Sequence, residues 1–183
     1  MTTWSDAKEK QLHWIETKGS GRAFELRTEE GEIIAALRIE KSCGTLVTAE
    51  IAEESWTFKR VGFLNPRVTI RQSNSEEDVA MYEPRFWGDG ILRFGDGHEY
   101  MWSPTNFWAT QWAFLTPERL AIFTFKPARE KTWKDIFKSQ AVVDITSDGW
   151  REKNLGLLLL FGWYLVVMHE QEAAAGAAAA TCS

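Results

Sequence analysis

Leu155-Gly-Leu-Leu-Leu-Leu-Phe-Gly-Trp-Tyr-Leu-Val-Val-Met168 is apolar on every side. As a helix it has no face suited to water, so it must be enveloped by something. At about 1.5 Å per residue the run is roughly 21 Å long, short of the roughly 30 Å hydrocarbon core that about 20 apolar residues are needed to cross. The polar sequence His169-Glu170-Gln171-Glu172 blocks a longer span. The reading that follows is a helix buried inside a globular domain, over about 155–172, with a C-terminal membrane tail as the alternative. The Ala-rich tail, 173–183, has the propensity to prolong that helix before it frays.

What envelops the helix is read from the residues before it. From about 11 to 147 the chain falls into short runs of alternating character, bounded by Gly, Pro, Asn, Asp or charged clusters. Trp56 and Phe58 alternate with Thr57 and Lys59; Val68 and Ile70 alternate with Arg67, Thr69 and Arg71. Trp108, Trp112 and Phe114 are expected to share one face across Thr110. Similar runs are Leu12–Glu16, Ala23–Arg27, Glu32–Ile39, Thr45–Ile51, Val79–Tyr82, Gly90–Phe94, His98–Trp102, Arg119–Phe125 and Gln140–Thr146. The same pattern criterion gives roughly twelve strands. Glu30-Gly31, Asp89-Gly90, Asp96-Gly97 and Asp148-Gly149 are expected to supply positive-φ turn positions, and Asn65-Pro66 a rigid turn. Consecutive hairpins without βαβ spacing predict a mainly β fold, a closed antiparallel barrel or a sandwich. One further helix is expected at Pro127–Lys138, where Trp133, Ile136 and Phe137 share a face among Arg129, Lys131, Lys134 and Lys138. It reads as a surface helix packed on the barrel, or as one that docks on a membrane surface.

Composition narrows the functional classes. The 183 residues fit one domain, 1–183, with 44% hydrophobic residues to build a core without disulfide staples. A formal charge of −5 argues against nucleic-acid binding, which needs a basic surface. Cys43 and Cys182 read as reduced thiols, and the charged first ten residues show no export signal, so a cytoplasmic location is expected. Cys182 does not fit a four-residue prenylation box.

About twelve antiparallel strands followed by one wholly apolar helix is similar in layout to the tubby C-terminal-like superfamily. That superfamily includes tubby, the phospholipid scramblases and the plant LURP-one-related proteins. The resemblance spans almost the whole chain. It is carried by Ser55–Arg71, by Gly90-Ile-Leu-Arg-Phe94 with the Asp96-Gly97 turn and Tyr100-Met-Trp102, and by Leu157–Met168. It implies a closed barrel of about twelve strands wrapped around the terminal helix. It also implies a non-enzymatic binding or interaction module, because tubby binds phosphoinositides through basic surface residues.

The best anion-binding candidate in the residues themselves is Lys59, Arg60, Arg67 and Arg71, which two paired strands would gather on one outward surface. The competing reading is outward charge that keeps a barrel soluble. Arg85 would stack on Phe86 and Trp87 or pair with Glu83, a structural role either way. Trp87, Trp102, Trp108 and Trp112 with Phe107 would form either packed core or the lining of a pocket, which makes a carrier of a small hydrophobic ligand the alternative function. His13, His98 and His169 form no metal-binding pattern, and no nucleophile elbow, Walker loop or dinucleotide fingerprint is present. No cofactor or metal is therefore expected. The expected partners are anionic lipid headgroups, bound weakly because the chain is acidic overall, or a protein.

Overall fold

A computed structural model describes residues 7–8, 10–17, 21–39, 46–62, 66–85, 88–128 and 139–181. Its strands are β1 (Leu12–Thr17), β2 (Arg22–Thr28), β3 (Ile33–Ile39), β4 (Leu46–Ile51), β5 (Glu54–Val61) and β6 (Arg67–Gln72). They continue as β7 (Asp78–Pro84), β8 (Gly90–Phe94), β9 (Glu99–Pro104), β10 (Trp112–Leu115), β11 (Ala121–Pro127) and β12 (Ser139–Ile145). A 3-10 turn at Gly149–Arg151 leads into helix α1 (Leu155–Thr181). Each strand pairs antiparallel with its predecessor, and β12 returns to pair with β1, closing the barrel. An even number of strands lets a meander close without a parallel pair. Closure needs bent strands, and the register shifts at Trp14/Ile15, Leu26/Arg27, Ile70/Arg71 and Phe114/Leu115 supply extra bend and twist.

Period-two patterning sends one set of side chains inward. Trp14, Phe24, Leu26, Phe58, Ile70, Leu92, Trp102, Phe114 and Phe123 are all buried. The barrel is nevertheless not filled by its strands alone. Residues 155–164 of α1 are buried on every side, and rings converge on them from around the wall. Trp14 of β1 stacks on Trp163 (5.3 Å between centroids, 6° between planes). Phe58 of β5 and Tyr82 of β7 meet Phe161 edge-on at 5.2 and 5.4 Å, and Phe125 of β11 meets Trp163 edge-on at 5.8 Å. Edge-to-face and stacked pairs each add attraction beyond simple burial, about 0.5–1.5 kcal/mol. From Leu165 onward burial declines, and residues 172–177 are exposed where the helix leaves the barrel. Among the described residues no helix is long and apolar enough to cross a membrane.

Several local expectations change. Gly31 and Gly97 do adopt positive φ (87° and 90°), whereas Gly90 and Gly149 do not. Those two glycines are demanded by close approach. A Cβ on Gly90 would lie 2.3 Å from the Tyr82 hydroxyl, and one on Gly149 would lie 2.1 Å from the Ile122 carbonyl oxygen. Trp108 does not share the strand face of Trp112 and Phe114. β10 begins only at Trp112, because Asn106 Oδ1 accepts the N–H groups of Thr110 (2.9 Å) and Gln111 (3.2 Å) and closes a loop ahead of it. Pro127, expected to start a helix, ends β11; residues 129–138 lie outside the described residues, as do Asn65, Phe86 and Trp87.

Candidate functional site

Register decides where the four candidate cations point. Across β5 and β6, Thr57 faces Arg71, Lys59 faces Thr69 and Val61 faces Arg67, so Lys59, Arg67 and Arg71 share the outer surface. Arg60 faces Val68 on the opposite, inward side. It lies near the end where α1 leaves the barrel, and its Nη1 donates to Glu172 Oε1 at 2.9 Å. The structure therefore brings three of the four together and turns the fourth to the helix.

The outer three sit among carboxylates. Arg71 pairs with Asp78 of β7, and Arg67 lies 3.6 Å from Glu83. Glu83 also pairs with Arg93 of β8, whose Nε donates to Glu99 of β9 at 2.7 Å. Arg67, Glu83, Arg93 and Glu99 form a ladder of alternating charge across four neighbouring strands. The two acceptors hold the Arg93 guanidinium above its usual pKa, Glu99 first and then Glu83. Lys59 is exposed, and among the described residues no carboxylate pairs with it. An incoming phosphate would find Lys59 available but would compete with Glu83 and Asp78 for the arginines. Exposed pairs of this kind are worth about 0–1 kcal/mol, so the competition is weak but real.

Where α1 leaves the barrel, a small cleft of about 90 Å³ lies between the helix and β5–β7. Its walls include Arg60, Tyr82, Tyr164, His169 and Glu172. Burial pushes the Tyr164 phenol up to about 12, Arg60 pulling it down and Glu172 up, and burial also raises Tyr82. Both phenols therefore remain hydrogen-bond donors at neutral pH. His169 packs edge-on against Trp112 at 5.0 Å. The cleft has room for a few waters, not for a lipid chain. Sequence reasoning passed over it, although Tyr164, Met168 and Glu172 at i, i+4 and i+8 marked one helix face.

At the opposite mouth, around the start of α1, an open cavity of about 970 Å³ is rimmed by Glu53, Glu54, Glu77, Asp78 and Asp96. Lys153 bonds Asp96 at 2.9 Å there. That bond, with the backbone and side-chain bonds from His98, holds the Asp96 carboxyl well below the usual range. Beside it the Tyr100 hydroxyl donates to Glu152 Oε1 (2.7 Å), Asn154 Nδ2 donates to the Tyr100 oxygen (2.9 Å) and the Asn154 N–H donates to the same Glu152 oxygen (3.1 Å). This clasp ties the segment before α1 to β9. Among the described residues no three His, Cys, Asp or Glu side chains converge as a metal site.

The Trp-rich region divides. Trp102 stacks on Trp112 (5.5 Å, 6°), tilts against Phe114 (4.9 Å) and meets Phe125 (6.0 Å), so these rings are packed core. Phe107 and Trp108 instead project from the β9–β10 loop, 91% and 78% exposed. The fold thus defines a class, the closed twelve-stranded antiparallel barrel plugged by its own C-terminal helix. Compared with protein-family models, curated proteins and solved structures, the chain matches none.

Proposed function

We propose that this barrel is a non-enzymatic binding module of tubby-like type that acts in the cytoplasm from its outer surface, touching anionic phospholipid headgroups through Lys59, Arg67 and Arg71. One observation carries the proposal: residues 155–164 occupy the interior, so a partner has only the outer wall and the two mouths to bind. Arg60, tied to Glu172, plays no direct part in this reading. A carrier would need space behind Trp102 and Trp112, and those rings stack on one another while Trp102 presses on Gly162 instead. The ladder of carboxylates makes the headgroup contact weak and salt-sensitive, because the arginines must exchange partners.

The test compares cosedimentation with phosphatidylcholine vesicles and with the same vesicles containing phosphoinositide. At low salt the phosphoinositide should add binding that the K59Q/R67Q/R71Q variant lacks and that rising salt removes. Equal sedimentation with and without phosphoinositide at low salt would end the headgroup proposal, since attraction is greatest there.

A further inference from the structure

The loop between β9 and β10 is built as a rigid knob. Thr105 N–H donates to the Gln111 carbonyl at 2.9 Å, and Ala109 N–H donates to the Asn106 carbonyl at 3.1 Å. Asn106 donates from Nδ2 to Thr110 Oγ1 (2.7 Å) while its Oδ1 takes two backbone N–H groups. Ala109 sits at φ 49°, a left-handed conformation that a non-glycine residue adopts only when its surroundings hold it there. On this frame Phe107 and Trp108 meet edge to face at 5.3 Å and stand 91% and 78% exposed. A loop needing only solubility would carry polar residues at such a tip; here the two largest side chains of the loop face water.

The surroundings indicate what covers them. No Asp, Glu, Lys or Arg occurs between Glu99 and Glu118, in a chain where 26% of residues are charged. Lys126, beside the loop in space, is tied to Asp144 at 2.6 Å. The packing of Trp112 on His169 places the knob at the end where α1 emerges, and α1 carries no charge from Ala173 to Thr181. Two aromatic side chains offer about 300–500 Å². A stable protein interface needs about 800 Å² from each partner. The knob is too small and too convex for that, but suited to a medium that closes around single side chains. Trp and Phe partition into the interfacial layer of a bilayer, and the loop that carries them brings no charge of its own to desolvate.

We infer that Phe107 and Trp108 form a membrane-insertion knob that anchors this end of the barrel in the interfacial layer of a neutral, phosphatidylcholine-type bilayer. The anchor is independent of the outer cations. It is driven by apolar burial, so it does not weaken with salt and needs no anionic lipid.

The test uses the full chain and vesicles of phosphatidylcholine alone. Wild type should cosediment equally at low and high salt, and F107S/W108S should lose at least about tenfold in partition, the least that withdrawing one such ring implies. The thermal midpoint should be unchanged, since neither ring touches the core. W108F should keep its partition while losing the fluorescence that lipids brominated near the headgroup quench in wild type, a readout independent of how the serine variant folds. Wild type left in the supernatant, equal partition of F107S/W108S, or unquenched Trp108 would each overturn the inference. So would concentration-dependent self-association that F107S/W108S abolishes, which would assign the knob to a second copy of the chain.

Discussion

Replacing Gly162 by alanine asks whether α1 is gripped as tightly as its burial implies. An added Cβ would lie 3.0 Å from Phe125 Cε2, 3.1 Å from Trp102 Cζ3 and 3.3 Å from Phe114 Cε2. Carbon atoms prefer about 3.5–4.0 Å, so each ring must retreat by a few tenths of an ångström or more. None is free to do so. Trp102 is backed by Trp112, Phe125 by Phe123 at 4.9 Å, and Phe114 by Phe123 at 5.9 Å. Overpacking of this kind costs about 1–3 kcal/mol, against which alanine recovers about 0.8–1.0 kcal/mol of helix propensity. The expected net effect is a loss of about 0–2 kcal/mol. Gly176 on the same helix supplies the control, since nothing lies within 4 Å of its Cβ position and G176A changes propensity alone. Urea denaturation followed by circular dichroism should therefore place G162A below G176A by about 1–3 kcal/mol, each kcal/mol moving the thermal midpoint by about 2–4 °C in a chain of this size. If G162A stabilises the protein as much as G176A does, the three rings do not close on the helix and the plugged interior is wrong.

Two further outcomes rest on the same core. Deleting everything after Asn154 removes nine side chains that are 0–4% exposed, Leu155, Leu157–Phe161, Trp163, Tyr164 and Val167. At about 1.5–3 kcal/mol each this is roughly 14–27 kcal/mol, more than the about 5–15 kcal/mol that holds a typical protein folded. The truncated chain should show no cooperative unfolding transition, and a soluble, folded fragment would contradict the plug. The second outcome concerns the chain's three tyrosines, Tyr82, Tyr100 and Tyr164, all of which burial raises above their usual pKa, Tyr164 to about 12. Above pH about 10 the unfolded chain loses phenolic protons that the folded chain keeps, so stability falls as pH rises from about 10 through about 12 and is untouched below that window. Tyr164 alone would contribute about 2–3 kcal/mol to that fall. Phenolate absorbance should stay flat until unfolding begins; titration at the ordinary tyrosine value with the fold intact would show that the rings are accessible to water.

Strand positions were legible because each strand buries one face, so Trp56-Thr-Phe-Lys59 and Val68-Thr-Ile-Arg71 carry the period of two in their own order. The helix was legible because Leu155–Met168 offers no polar face and is too short to cross a bilayer, and these two facts leave a protein interior as its solvent. Neither inference needed a partner residue. The grouping of the cations did need one. Lys59 and Arg60 are chain neighbours, and alternation alone says they point apart; which of them joins Arg67 and Arg71 follows from the β5–β6 register. That the arginines are tied to Glu83 and Asp78 follows from the neighbouring strand β7.

Trp108 shows the same limit from the other direction. Its spacing from Trp112 and Phe114 fits a strand, and only the side chain of Asn106, reaching to Thr110 and Gln111, cuts the strand short and leaves the indole in water. Gly90 reads as a turn residue until the Tyr82 hydroxyl is seen lying where its Cβ would be. The sequence by itself determined the strand periodicities and the buried helix, because burial of a strand or helix face is a property of residues close together in the chain; it left a barrel or a sandwich open, and closure rests on β12 pairing with β1. Tertiary structure alone decided which charges are neutralised, which aromatics are exposed and which glycines are obligatory. Those depend on atoms brought within a few ångströms by register and closure, between residues whose separation in the chain carries no periodic trace.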